Sequence, residues 1–160
     1  MKSMAETGYR AGHGMYFDEF EVGQRFSTAG RTVTEADIIA FAGLSGDYNQ
    51  IHVDAEYSKN TAVGRRVAHG LLGLSIASGL AVQTGILEGT IVAFREIRDW
   101  RFLKPVFIGD TLHVDLAVLE TKSLSRIGAG IVLIELDVLN QSGETVMKGS
   151  WSVLIVANPE

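Results

Sequence analysis

The chain has 160 residues, of which 46% are hydrophobic and 21% are charged, and its net charge at pH 7 is −5. This length is typical of one domain with a sizeable core, and the acidic balance argues against nucleic acid as a partner. The absence of cysteine excludes disulfides, thiolate metal sites and a cysteine nucleophile, and we expect a cytoplasmic location.

The N-terminal part of the chain divides into a tail and the beginning of a domain. Residues 1–15 lack the apolar core of a signal peptide, and we expect them to form a flexible tail before a domain over residues 16–160. Residues 25–33 are predicted to form a strand, because aromatic and β-branched residues recur there. Thr34 is a good N-cap for a helix whose first turn is acidic, and this helix should end at Gly46.

A long irregular stretch and an apolar helix follow. Residues 46–68 mix acidic, aromatic, basic and glycine residues, and we expect an ordered, functional loop with one short helical turn at 56–59. Residues 69–83 are apolar or small all the way round, which predicts a helix that is buried on every side. This helix is shorter than the roughly 20 apolar residues that a membrane span needs, so we expect no membrane association.

The second half of the chain has the pattern of an antiparallel sheet. Alternating apolar residues and turn signals predict four strands, at residues 91–103, 111–121, 126–140 and 144–156. Such a sheet can bury a helix on all sides only if it curves around the helix. The predicted class is therefore α+β, with a single hot-dog fold in which a curved antiparallel sheet wraps around the long central helix.

The residues that could carry chemistry lie before and at the start of this helix. Asp47 and His52 are five residues apart, and a carboxylate with an imidazole can divide the acid and base roles of a reaction. Gly70 follows His69 at the predicted helix start, where bare backbone N–H groups can face a ligand. The ring nitrogens of His69 are expected to bond backbone groups, which is a structural role. The four histidines are scattered, with no pair four residues apart, so no metal site is expected.

Three segments of the sequence resemble a known family, and the similarity to that family extends from about residue 16 to residue 156. They are residues 45–54 (SGDYNQIHVD), 67–70 (VAHG) and 100–110 (WRFLKPVFIGD). Together they resemble the MaoC-like dehydratases of the hot-dog superfamily, the group that includes (R)-specific enoyl-CoA hydratases. The chain departs from the family pattern at Gln50, where the family usually has proline, a residue that would have fixed the backbone φ angle.

The resemblance implies an activity and assigns residues to it. It implies the reversible hydration of a trans-2-enoyl thioester to an (R)-3-hydroxyacyl thioester, with coenzyme A or acyl carrier protein as the carrier and no cofactor. Asp47 would be the main base toward the attacking water. His52 would help to hold this water and to protonate the substrate. Gly70, Asn49 and Ser78 would form the oxyanion and substrate-binding set. In that set the Gly70 N–H would donate to the thioester carbonyl, Asn49 would brace the loop, and Ser78 would face the site.

Two other functions and the assembly are left open by the sequence. One alternative is a hot-dog acyl-CoA thioesterase, which is disfavoured because such enzymes often carry an acid on or beside the central helix and residues 69–87 contain none. The other is a non-catalytic acyl-CoA binding subunit. Exposed sheet edges predict a homodimer or a dimer of dimers. The basic residues that could meet the phosphates of coenzyme A are Lys59, Arg65, Arg66 and Lys104.

Overall fold

The computed structural model describes residues 13–159 of the chain. In this part of the chain the helices are α1 (Glu35–Ser45), α2 (Gln50–Val53), α3 (Ala55–Lys59) and α4 (Gly70–Gln83). The strands are β1 (Arg25–Ser27), β2 (Arg31–Thr32), β3 (Ile91–Phe102), β4 (Thr111–Leu124), β5 (Ala129–Leu139) and β6 (Thr145–Val156). Single 3-10 turns lie at Phe17–Glu19 and Ser125–Ile127.

The strands form one antiparallel sheet that packs over α4. Their order is β1-β4-β5-β6-β3, and β2 also pairs with β4. Along β4 every second side chain is buried, namely Leu112, Val114, Leu116 and Val118. These side chains share one core with Ile76 of α4, and truncating one such side chain to alanine typically costs about 2–5 kcal/mol. The predicted α+β class and the predicted hot-dog arrangement of sheet and helix are confirmed.

The single strand predicted over residues 25–33 is wrong, because the structure divides it into β1 and β2. Thr28 lies between the two strands, and its N–H donates to the Val114 carbonyl at 3.0 Å. The Thr28 hydroxyl oxygen accepts from the Val114 N–H at 2.9 Å. A side-chain oxygen thus replaces the backbone acceptor of a regular ladder, which interrupts the strand.

Helix α1 begins and ends as predicted. The Thr34 hydroxyl accepts from the Asp37 N–H at 3.3 Å, and the Asp37 carboxylate accepts from the Thr34 N–H at 2.8 Å. Gly46 ends the helix in the left-handed conformation, with φ 76°, which glycine adopts without a steric cost. The chain therefore turns sharply at the residue that precedes Asp47.

The stretch after α1 is more helical than predicted, since it contains α2 as well as α3. Asn49 caps α2 because its side-chain oxygen accepts from the Ile51 N–H at 3.2 Å. Asp54 caps α3 in the same way, by accepting from the Tyr57 N–H at 2.8 Å. Side chains of this type at an N-cap stabilise a helix start by about 1 kcal/mol, and here two caps hold helices of four and five residues.

The hairpin between β4 and β5 differs from the prediction at its turn. β4 continues to Leu124 rather than ending at residue 121, and the 3-10 turn Ser125–Ile127 replaces the first residues of the strand predicted over 126–140. Gly128 closes this turn with φ 61°, a left-handed conformation that glycine tolerates.

The prediction that the central helix is buried on every side is wrong for the single chain. Leu71 is 60% exposed and Val82 is 53% exposed. Ser75 and Gly79 are exposed between them, and residues four apart lie on one face of a helix. The sheet covers the opposite face, where Leu72, Ile76, Leu80 and their neighbours are buried. The helix is apolar all round, but its own chain covers only part of it.

The beginning of the chain is described only in part. Of the tail expected over residues 1–15, residues 1–12 lie outside the described residues. Gly14 and Met15 donate backbone hydrogen bonds to the carbonyls of Glu88 and Ile86. Within residues 13–159, no helix has the length and the apolar character that crossing a membrane requires.

Candidate active site

Asp47 and His52 meet in the turn that connects α1 to α2. The Asp47 N–H donates to the Ser45 hydroxyl at 3.2 Å, and Asp47 Oδ1 accepts from the Asn49 N–H at 3.1 Å. These two bonds fix the carboxylate so that its other oxygen, Oδ2, lies 3.9 Å from His52 Nε2. The Asp47 side chain is 50% exposed, whereas that of His52 is only 9% exposed. One acceptor of the pair is therefore reached from solvent, and the other is buried behind it.

The distance between Asp47 Oδ2 and His52 Nε2 leaves room for a third atom between them. At 3.9 Å they are too far apart for a good direct hydrogen bond. An oxygen atom about 2.8 Å from each of them would make two ordinary hydrogen bonds. The pair of Asp47 and His52 can thus hold one water molecule or one substrate hydroxyl.

The imidazole of His52 is held by its other nitrogen. His52 Nδ1 lies 2.7 Å from the carbonyl oxygen of Val67, in the segment before α4. A carbonyl oxygen only accepts, so Nδ1 must carry the proton of this bond. In the neutral ring Nε2 then carries a lone pair, and this lone pair faces the carboxylate side of the site.

A second buried imidazole, that of His69, contacts both members of the pair. His69 Nε2 donates to the backbone carbonyl of Asp47 at 2.9 Å. Its ring stacks on the His52 ring, with centroids 3.8 Å apart and planes inclined by 26°. His69 Nδ1 is buried and has no hydrogen-bond partner. The sequence placed His69 at the helix start but not among the site residues; the signals were its position beside Gly70 and its place in the segment 67–70 that resembles the family.

Gly70 opens α4 onto a cavity of about 590 Å³. His69 is the N-cap of this helix but makes no side-chain cap bond, so the first N–H groups of α4 are available to a ligand. A Cβ atom at Gly70 would meet the Phe102 ring at 2.9 Å. The cavity is mainly apolar, and its lining includes Ile51, His52, Val67, His69, Gly70, Leu71, Phe102, Leu103, Lys104 and Met147. His52 and the start of α4 therefore face the same space.

The remaining two predicted site residues lie elsewhere. Asn49 caps α2 and donates its backbone N–H to Asp47, and it does not line the cavity. Ser78 lines a second, smaller cavity of about 290 Å³ together with Phe94, Ile97 and Trp151. The structure brings His52 and Gly70 to one cavity and Asp47 beside His52, and it places Ser78 apart from them in the single chain. The predicted role of Ser78 stays a prediction.

The segment before α4 is attached to the start of α1 by an ion pair. Both terminal nitrogens of Arg66 bond to the Glu35 carboxylate, with Nη1 to Oε1 at 2.8 Å. This hydrogen bond lowers the pKa of the Glu35 carboxyl below its usual value, with burial opposing the shift and the guanidinium charge supporting it. Two parallel bonds of this kind fix orientation as well as distance, so the pair aligns the backbone that carries Val67 and His69.

Three ligand atoms in the site are close enough to suggest a metal ion, but their geometry is unfavourable. Asp47, His52 and His69 each offer an atom within 4.8 Å of the others. The two imidazoles are stacked, so the lone pairs in their ring planes run side by side rather than converging. A zinc site needs nitrogen ligands that point at one centre from about 2.0–2.1 Å. The expectation that no metal takes part remains a prediction.

Known proteins are similar to this chain over the part that contains the candidate site. Residues 19–138 match the family model described as a MaoC like domain. Protein MaoC of Klebsiella aerogenes is 41% identical over 101 residues, which are 63% of this chain but only 30% of that protein. The (R)-specific enoyl-CoA hydratase of Aeromonas caviae is 34% identical over 137 residues, 84% of this chain and 98% of that protein. A solved structure from Archaeoglobus, described as a monoamine oxidase regulatory protein, has a TM-score of 0.85 at 39% identity and covers 92% of this chain and 97% of its own.

The hydrogen bonds of the two stacked imidazoles predict opposite tautomers. At neutral pH we expect the proton of His52 on Nδ1 and that of His69 on Nε2, because each of these nitrogens faces a carbonyl oxygen. Long-range ¹H–¹⁵N correlation spectra distinguish the two forms, with His113, whose ring makes neither bond, as the reference. A proton found on Nε2 of neutral His52 would contradict this geometry.

Proposed function

The chain belongs to the MaoC-like domain family, and on that premise we propose that it adds water reversibly to a trans-2-enoyl thioester and forms an (R)-3-hydroxyacyl thioester. The observation that carries this proposal is the pair of acceptors, Asp47 Oδ2 and His52 Nε2, 3.9 Å apart beside the open start of α4. A water held by both acceptors has its oxygen free to attack carbon 3 of the substrate. The location expected from the cysteine-free sequence, the cytoplasm, also remains a proposal.

The proton balance of the reaction fits a pair of this kind. Asp47 takes one proton as the water oxygen bonds to carbon 3, and the π electrons of the double bond move toward the thioester. The pair then returns a proton to carbon 2, so that it ends in the protonation state in which it began. His52, buried and fixed by Val67, holds the water and shares this proton transfer. A positioned acid or base of this type typically contributes about 10²–10⁴-fold in rate.

The start of α4 supplies a donor for the charge that develops on the thioester oxygen. We assign this role to the Gly70 N–H, since Gly70 lines the cavity with His52. A preorganised donor of this kind can stabilise a transition state by about 2.7–4 kcal/mol. A side chain at this position would meet the Phe102 ring, so glycine allows the carbonyl to approach the backbone.

Coenzyme A is the carrier that we propose, and Arg65 is the residue that we assign to its phosphates. Of the four basic residues considered from the sequence, Lys59, Arg66 and Lys104 each pair with a carboxylate. Arg65 has no carboxylate partner among the described residues, and its guanidinium lies 3.5 Å from the centre of the Phe107 ring. This contact keeps the cation beside the segment that continues into the cavity lining.

We also propose that two copies of the chain pair through β3. This strand lies at the edge of the sheet, and its side chains Phe94 and Ile97 are 47% and 42% exposed. The exposed apolar stripe of α4, with Leu71 and Val82, provides a second uncovered surface. A long edge strand with unpaired N–H and C=O groups is a template for pairing, and the commonest symmetric assembly is a dimer.

The charges on β3 are complementary to those of a second copy. In an antiparallel pair centred on Ile97, Arg95 would lie opposite Asp99 of the second copy, and Glu96 would lie opposite Arg98. Opposite charges across neighbouring strands are favourable, and like charges are not. In this register the charges of two copies would attract each other, which supports a second copy of this chain as the partner, with a dimer of dimers as the larger alternative.

The catalytic assignment predicts a specific loss on replacing Asp47. Asp47→Asn should lower kcat for crotonyl-CoA hydration by roughly 10²–10⁴-fold, because an amide cannot accept the proton from water. The loss of the enoyl-thioester absorbance measures the rate. Asp54→Asn is the matched control, since asparagine also caps a helix and Asp54 caps α3 in the same stretch. Equal activity of the two variants would refute the assignment.

The assignment of Arg65 to the phosphates of coenzyme A predicts that replacing Arg65 changes KM only for substrates that carry these phosphates. Arg65→Ala should raise KM for crotonyl-CoA roughly tenfold, because a hydrogen bond to a charged group contributes about 1.5–3 kcal/mol. KM for the crotonyl thioester of pantetheine, which lacks the phosphates, should not change. Arg126→Ala removes the same charge from the 3-10 turn between β4 and β5 and should leave both constants unchanged. An equal rise in KM for both substrates would contradict a contact with the phosphates.

The proposed pairing through β3 predicts the mass of the protein in solution, and it predicts that one substitution in β3 lowers this mass. Light scattering should give a mass of two or four 17.3 kDa chains, and Ile97→Asp should yield the single chain because it buries a charge in the pairing edge. Ile127→Asp is the control, since Ile127 is 65% exposed outside β3. A wild-type mass of one chain would exclude the proposed dimer.

A further inference from the structure

His69 is placed where the parts of the candidate site join. His69 is only 3% exposed, and it is the N-cap of α4, directly before Gly70. The sequence predicted only a structural role for it, with both ring nitrogens on backbone groups. One nitrogen does bond a backbone carbonyl, but the other has no partner.

The first contact of His69 fixes the backbone of the carboxylate. Its Nε2–H donates to the carbonyl of Asp47, 22 residues earlier in the chain. This bond joins the turn after α1 directly to the N-cap of α4. Because the Asp47 side chain itself is half exposed, its position depends strongly on how its own backbone is held.

The second contact fixes the plane of the other imidazole. The rings of His69 and His52 are stacked at 3.8 Å between centroids, and the Phe41 ring packs against His69 at 5.0 Å. His52 is thus restrained in its plane by the bond to Val67 and out of its plane by His69. Rotation of the His52 ring would break one contact or the other.

We infer that His69 is a positioning residue for the hydration proposed above, on which this inference rests. The His69 side chain contacts both Asp47 and His52, and His69 directly precedes the Gly70 N–H donor. It holds the two acceptors and the donor at a fixed separation. Its ring also borders the cavity, but the proton transfer proposed above does not use it. Geometric errors of about 1 Å at such a site can lower a rate roughly 100-fold.

The chemistry of the His69 ring allows its two contacts to be separated. Phenylalanine keeps a flat ring for the stack but has no N–H for the Asp47 carbonyl. It leaves no other hydrogen bond broken, because Nδ1 of His69 has no partner. Glutamine keeps a donor near the position of Nε2 but loses the stacked ring. Asparagine is a good N-cap, so it should preserve the start of α4, yet its amide is too short to reach that carbonyl.

The test measures kcat, KM and the thermal midpoint for the wild type and for the three variants with crotonyl-CoA. We expect kcat of His69→Phe and His69→Asn to fall roughly 10- to 100-fold with KM changed less than about threefold, since the reacting groups are misplaced but the binding surface remains. His69→Gln should recover part of kcat through its donor. His113→Phe, the same replacement on β4 outside the site, should leave kcat unchanged.

The outcomes separate this inference from the function on which it rests. Wild-type kcat in folded His69→Phe or in His69→Asn would overturn the inference while leaving the hydratase proposal intact. So would a fall in rate that only follows a loss of folded protein, which the thermal midpoint detects. If His69→Phe does not fold, His69→Asn decides the question. Failure of the wild type to hydrate any enoyl-CoA would instead refute the proposed function.

Discussion

The geometry of the candidate site depends on how closely the stretch from α1 to α2 is held to the segment that leads into α4. Three contacts make this connection: the Arg66–Glu35 ion pair, the Val67 carbonyl with His52, and the His69 ring with the Asp47 carbonyl. Each contact joins residues at least 15 positions apart, so none of them exists in an unfolded chain. The site is therefore formed by folding, and local order in the turn after α1 is not enough to produce it.

The contacts also explain why the two acceptors differ in their surroundings. Asp47 reaches solvent, while His52 is enclosed by the Val67 carbonyl and the stacked ring. A solvent-exposed acceptor and a buried one, close to each other, can divide the roles in moving a proton. The open start of α4 adds fixed N–H donors without any charged side chain, which suits an apolar cavity because buried charges are costly. The site thus combines a carboxylate at its edge with buried imidazoles and backbone N–H donors.

Much of this structure was predictable from the sequence where local signals determine it. The capping box of Thr34 and Asp37, Gly46 at the helix end and the alternation along β4 all act within a few residues. The signals that were missed are of another kind. The break at Thr28 depends on Val114, far along the chain, and α2 is too short for periodicity to reveal. An apolar helix surface cannot tell whether its own chain or a second copy covers it, so the exposure of Leu71 could not be predicted.

The candidate site was predicted only in part, again because some of its contacts join residues that are far apart in the chain. Asp47, His52 and Gly70 were identified by motif, whereas the contacts of His69 required the folded chain. The departure at Gln50 is also clearer in the structure. Gln50 is the first residue of α2, a position where proline is favoured but not required, since the N–H there needs no partner within the helix. Asn49 caps this helix in either case, so the turn keeps its shape.

The most direct test of the proposed hydration is where the water oxygen goes. Crotonyl-CoA is incubated with the wild-type protein in ¹⁸O-labelled water, and the products are analysed by mass spectrometry. We expect an intact coenzyme A thioester that has gained one water, with the label in the hydroxyl on carbon 3. Free coenzyme A with the label in a carboxylate would mean attack on the thioester carbonyl and would contradict the proposed hydration, as would unchanged substrate.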